Sequence, residues 1–132
     1  MRRTGRIILV IVIFLVILVF LLMMLFKNKI DQESKNLEYP EINMSEVKDG
    51  IYEGNAQTSL VKVSVEVSVE QNKIEQITIT KHENGKGQKA EVIVETMIEK
   101  NDYQVDGVSG ATMSSDVIRA AVGNALLKGV KQ

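Results

Sequence analysis

The 132-residue chain contains no cysteine and no tryptophan, one histidine, one proline and only 5% aromatic residues. Disulfide bridges and thiolate metal sites are thereby excluded. With a single histidine there is also no evident nucleophilic triad. An excess of one charge is lacking too: 16 Lys and Arg against 17 Asp and Glu give a net charge of −1, which removes the electrostatic argument for a nucleic-acid binder. At this length the chain holds no more than one ordinary folded domain.

The mean hydropathy of +0.03 averages two unlike parts. From Ile7 to Phe26 runs a block of twenty uncharged apolar residues. As a helix it would span about 30 Å, the thickness of a bilayer's hydrocarbon core. A buried soluble helix would carry polar residues at a 3.6 period, and none interrupt the block. A cleaved signal peptide would need a shorter run and a small-residue cleavage site, whereas this run ends Met23-Met24-Leu25-Phe26-Lys27-Asn28-Lys29. The expectation is an uncleaved transmembrane signal anchor over 7–26, preceded by a cytoplasmic tail over 1–6. Arg2, Arg3 and Arg6 before the block outnumber Lys27 and Lys29 just after it. The positive-inside rule then leaves the C-terminal part outside the cytoplasm, on a single-pass protein of the cell membrane.

Residues 27–47 are charged and polar, hold the only proline, Pro40, and show no sustained period. They are expected to form a linker, with the folding unit in 48–132. There, Val61, Val63, Val65, Val67 and Val69 alternate with polar residues, which predicts a strand with one buried face. Gln71-Asn72 breaks the pattern and Lys73 to Thr80 resumes it, an antiparallel hairpin with Asn72 suited to positive φ. Ile51 to Ser59 is a third candidate strand, weakened by Gly54. Apolar residues at Ala90, Ile93, Val94, Met97 and Ile98 predict a helix over Gln88–Lys100. Val117, Ile118, Ala121, Val122, Ala125 and Leu126 predict another from about Ser115 to Lys128, capped by Ser114 or Ser115 and closed near Gly129. Gly123 in its middle is expected to permit close contact with the sheet. Strands followed by helices give an α+β fold: a small antiparallel sheet with two helices, preceded by one transmembrane helix.

The chemistry concentrates in Asp106-Gly107-Val108-Ser109-Gly110-Ala111-Thr112-Met113-Ser114-Ser115, directly before the last helix. Hydroxyls and small residues meet there at a helix N-terminus, where free N–H groups and the positive dipole end favour a phosphate. On composition and spacing alone, an ordinary Gly/Ser/Thr loop with a helix cap accounts for it better than a phosphate site does. Ser109, Thr112, Ser114 and Ser115 are the candidate nucleophiles.

The string Ser109-Gly110-Ala111-Thr112, with Asp106 three residues upstream and Ser114-Ser115 after it, resembles the flavinylation motif of the FMN-binding domain family. That family includes flavin subunits of the Rnf complex and of the sodium-pumping NADH:quinone reductase. Asp49-Gly50-Ile51-Tyr52-Glu53-Gly54 is similar to the family's opening D-G-x-Y-x-G, and His82 to Gly87 stands at its flavin-side loop. The resemblance covers about Lys48 to Leu127. It implies that a separate flavin transferase, using FAD and Mg²⁺, attaches FMN to Thr112 through a phosphoester. The chain is then the substrate of an enzyme and itself an electron-transfer flavoprotein. Asp106 is implied to orient the motif for the transferase, with Ser109, Gly110, Ala111, Ser114 and Ser115 around the phosphate. His82 is a candidate for the isoalloxazine or phosphate side, and Tyr52 for stacking on the flavin.

Arg119 is read as a solvated surface residue, and Glu91, Glu95 and Glu99 as a solvated stripe. Asn55 to Ser59 lacks the glycines of longer family members, which suggests a minimal domain with an exposed flavin. The implied role is a relay between a membrane electron donor and an external or neighbouring acceptor. The alternative is a noncovalent flavin sensor or a membrane-anchored interaction domain without redox turnover. Protease added to intact cells should remove the C-terminal domain; digestion only after lysis would reverse the orientation.

Overall fold

The computed structural model describes residues 2–83 and 87–131, the side chains of residues 2 and 3 excepted. Its first compact unit, residues 1–33, is made by helix α1 (Arg2–Lys35), whose last two residues belong to the second unit. From Ile7 to Phe26 every side chain of α1 is exposed and apolar, on all sides of the helix. It is long and apolar enough to cross a membrane.

The second unit, residues 34–132, is a two-layer α+β domain. Its sheet has the order β1 (Gly50–Gln57), β2 (Lys62–Glu70), β3 (Lys73–Glu83), antiparallel throughout. The alternation expected of β2 holds: Val63, Val65, Val67 and Val69 are buried, while Lys62, Glu66 and Glu70 face solvent. Gln71 and Asn72 both have positive φ, 51° and 62°, as a two-residue hairpin turn that follows the strands' twist requires. Asn72 is held there by its side chain, whose Nδ2 donates to Ser45 O and Val47 O at 3.2 Å each.

Helix α3 (Thr112–Val130) lies on the buried face of β1 and β2, and α2 (Ile93–Lys100) packs beside β3. Met97, Ile118 and Leu126 are fully buried between the layers, where truncation of such side chains to Ala costs about 2–5 kcal/mol each. Gly54 proves to be the point of closest approach between strand and helix. A Cβ there would strike Ala121 O and come within 2.6 Å of Ala125 N. Gly123, expected to do this, faces the ring of Tyr103 instead. Helix α3 also covers the free edge of β1, where Asn124 Nδ2 donates to Asn55 O at 2.9 Å and Lys128 Nζ to Glu53 O at 2.5 Å.

Three local expectations change. The helix predicted over Gln88–Lys100 opens as a 3₁₀ turn, Gln88–Val92, before α2 begins. The last helix starts at Thr112 with Ala111 at its N-cap, so Ser114 and Ser115 lie inside the first turn rather than capping it. The segment expected as a linker over 27–47 is helical to Lys35, and from Ser34 it is part of the domain. Leu37, Ile42 and Met44 pack on the core, and Val47 is wholly buried in it. Ser34 Oγ donates to Asp116 at 2.5 Å, Tyr103 Oη donates to Pro40 O, and the Arg119 guanidinium stacks 5.5 Å from the Tyr39 ring centre. Apolar residues at irregular spacing produce such a strap without any period.

Gly54→Ala should destabilise the domain by about 2–3 kcal/mol in chemical unfolding, because helix backbone cannot yield. Ile51→Ala, at an exposed position of the same strand, should cost under about 1 kcal/mol. Burial raises the pKa of Tyr39 and of Tyr103 above the ordinary tyrosine value. Their neutral forms are therefore favoured by folding: the contribution is intact below pH ~10 and is lost as pH rises through the raised values. Stability measured by denaturant should fall above pH ~10, and the fall should flatten in Tyr103→Phe.

Candidate functional site

The site is assembled where the end of β3, the 3₁₀ turn Gln88–Val92 and the start of α3 meet. In β3 the side chains facing the core are Ile74, Ile77, Ile79 and His82, a spacing no unbroken strand produces. Two bulges account for it: Glu75 is extra between Ile74 and Gln76, and Thr80 is extra between Ile79 and Lys81. An uninterrupted strand after Ile79 would turn Lys81 inward and His82 outward. The bulge at Thr80 reverses this, and the His82 side chain is only 4% exposed.

His82 Nδ1 lies 2.7 Å from Glu91 Oε1 and its Nε2 lies 3.2 Å from Ser114 Oγ. A carboxylate accepts, so Nδ1–H donates to Glu91; in the neutral ring Nε2 then accepts from the Ser114 hydroxyl. One imidazole thus joins the strand, the 3₁₀ turn and the helix. Glu91 is corrected from a residue of a solvated stripe to a partner of this cluster, while Glu95 and Glu99 are exposed. At the end of β3, Lys81 hydrogen-bonds Glu83 at 2.9 Å and holds its carboxyl below the usual range. Asn84, Gly85 and Lys86 of the expected flavin-side loop lie outside the described residues.

Before α3, Ala111 N donates to Val108 O at 2.9 Å across Ser109 and Gly110. Gly110 has φ +77°, at the third turn position where positive φ is needed. Ser115 Oγ holds this turn from inside, accepting from Val108 N and donating to Ala111 O, both at 2.9 Å. Of the four candidate hydroxyls, Ser114 is 3% exposed and Ser115 not at all, and both are engaged. Ser109 and Thr112 are exposed, as is Asp106. Thr112 occupies the first position of α3, a helix with no side-chain cap, and the N–H groups of Thr112, Met113 and Ser114 precede the first intrahelical bond, Ser115 N to Ala111 O at 3.0 Å. Lys89 also belongs here: its Nζ lies 2.7 Å from where a Cβ on Gly110 would be.

The geometry brings together His82, Ser109, Gly110, Ala111, Thr112, Ser114 and Ser115, and adds Glu91 and Lys89. Tyr52 is not among them. It sits opposite Val67, donates from Oη to Lys48 O at 2.8 Å and packs near Gly129, at the end of α3 remote from Thr112. Its ring is core, and the expectation of stacking on a flavin is withdrawn. Arg119, expected to be solvated, donates to Val105 O at 3.0 Å and pairs with Asp116. It secures the strap and the loop before the site rather than reaching toward Thr112. Glu91 and Lys89 carry no sequence signal of their own, since only the Thr80 bulge turns His82 toward their turn.

The model of the FMN-binding domain family matches residues 58–127, just over half of the chain. A protein of Treponema pallidum (strain Nichols) described only as uncharacterized is 33% identical over 81 residues. That alignment covers 59% of this chain and 22% of the relative's length.

Proposed function

The chain belongs to the FMN-binding domain family, and from that premise we propose that it is a membrane-anchored, extracytoplasmic flavoprotein carrying FMN covalently on Thr112. Thr112 is an exposed hydroxyl on the uncapped first turn of α3, beside two serines whose hydroxyls are already committed. That single observation carries the reading. The residues also suit the group: Gly110 carries no side chain, and the first N–H groups of the helix favour a phosphate.

In the attachment step the Thr112 hydroxyl oxygen attacks the flavin-side phosphorus of FAD. The Oγ1–P bond forms, the pyrophosphate P–O bond breaks, AMP leaves with the bridging oxygen, and the hydroxyl proton passes to a base. Base and Mg²⁺ belong to the separate flavin transferase, because a free threonine hydroxyl is a weak nucleophile. Asp106, exposed three residues before Ser109, is available to that enzyme for orienting the motif.

FMN supplies reversible one- and two-electron redox chemistry when bound. The protein holds it beside α3, and α1, apolar enough to span a bilayer, keeps the domain at the membrane. The electron donor is then a membrane component and the acceptor an external or neighbouring molecule. A covalent bond suits this location: a noncovalent cofactor with a Kd of about 1 μM would be lost where free flavin is scarcer than that.

Coexpression with a flavin transferase should give a fluorescent band in a denaturing gel and one FMN adduct, formed with loss of water, on the peptide containing Thr112. Thr112→Ala should abolish it and Thr112→Ser retain part. An adduct surviving Thr112→Ala would move the site to Ser109. No adduct on the native chain beside an active transferase would favour the noncovalent flavin module.

A further inference from the structure

We propose that the open edge of β3 is a self-pairing surface, on which two copies of this chain join as a dimer. β3 lies antiparallel against the partner's β3, with Thr78 opposite the partner's Thr78.

The sheet has two edges, β1 and β3, and only one is closed. Asn124 and Lys128 of α3 cover the edge of β1. β3 is the longest strand, at 11 residues. Among the described residues, its backbone facing away from β2 has no partner over 75–81, and only Ile74 N, at the start, is taken, by Asn101 Oδ1 at 2.8 Å. A long strand with a free ladder is a template for another strand. Its own residues decide which strand that is.

About Thr78 the strand is symmetric in burial and opposite in charge. Ile74, Ile77, Ile79 and His82 face the core and the other side chains face solvent. Reversing the strand about Thr78 lays Ile77 on Ile79 and Ile74 on His82, so inner residues meet inner residues. The two bulges create this match, because Glu75-Gln76 and Thr80-Lys81 each set two successive residues outward, at mirror positions. The same reversal brings Lys73 opposite the partner's Glu83 and Glu75 opposite the partner's Lys81, each pair occurring twice about the two-fold axis. Lys81, which holds Glu83 of its own chain at 2.9 Å, then stands between two carboxylates.

Neighbouring registers lose this match. Recentring on Ile77 sets Lys73 opposite the partner's Lys81, and recentring on Ile79 sets Glu75 opposite the partner's Glu83, where like charges repel. A shift of one residue sets inner side chains against outer ones. Lysines and bulges ordinarily blunt an edge; on β3 they admit one register of one partner. Two sheets of three strands become one sheet of six. His82 falls opposite the partner's Ile74, so the two His82 clusters stand at opposite ends of the shared ladder, roughly 20–25 Å apart.

The chain has no cysteine, so Thr78→Cys places a single thiol on the two-fold axis, within disulfide reach of its copy. Gln76→Cys is the control, since two copies of position 76 lie roughly 13 Å apart in this register. In the full chain in detergent micelles under mild oxidation, Thr78→Cys should crosslink at least about tenfold faster than Gln76→Cys. Association through α1 alone would crosslink both alike. Glu75→Lys alone and Lys81→Glu alone should each weaken the dimer about tenfold in sedimentation while remaining folded by circular dichroism. An equimolar mixture of the two should recover it as heterodimers, because each chain then meets the opposite charge at both positions. A native chain that is monomeric, dimers indifferent to both charge reversals, a mixture that does not recover, or equal crosslinking at the two cysteine positions overturns the self-pairing edge.

Discussion

The direction in which His82 points decides whether β3, the Gln88–Val92 turn and α3 meet as a site. The direction is set by one extra residue: with Thr80 bulged between Ile79 and Lys81, the imidazole enters the core side and Lys81 faces solvent. Without the bulge the Lys81 ammonium would face inward, at a desolvation cost. Once inside, the imidazole satisfies both nitrogens, on Glu91 and on Ser114. Ser115 holds the Val108–Ala111 turn in the same manner, through its own buried hydroxyl. Thr112 is exposed, whereas the hydroxyls of Ser114 and Ser115 are spent on structure.

A second constraint lies at the other end of the strap. Ser34, Tyr39, Pro40 and Ile42 are bound to the domain through Asp116, Arg119, Tyr103 and the core. The folded domain therefore begins at Ser34, eight residues after the apolar block ends at Phe26. Asp116 is one helical turn beyond Thr112, so the strap is fastened to the same helix end that carries the proposed attachment residue.

Features with a period, or with a known string, could be read from the sequence. The valine alternation of β2, the Gln71-Asn72 turn and the apolar faces of α2 and α3 all appear where the residues require them. So does the apolar helix, and the FMN-binding domain family follows from Ser109-Gly110-Ala111-Thr112 and its surroundings. Features created by tertiary contact could not. The Thr80 bulge breaks the period on which strand reading depends, and it turns His82 toward Glu91. Tyr52 matches a family motif, yet its side chain is core because β1 carries it to the far end of α3. Ser114 and Ser115 have the chemistry of N-caps, but burial directs their hydroxyls to His82 and to the preceding turn.

The central claim is that His82 assembles the site, and native-state hydrogen exchange of His82→Ala, read beside flavin loading of the same variant, tests it most directly. The account predicts faster exchange in the first turns of α3 and in Gln88–Val92, little change in the paired centre of β1 and β2, and a large loss of Thr112 loading. Native-like exchange at the start of α3, together with native loading, would contradict it.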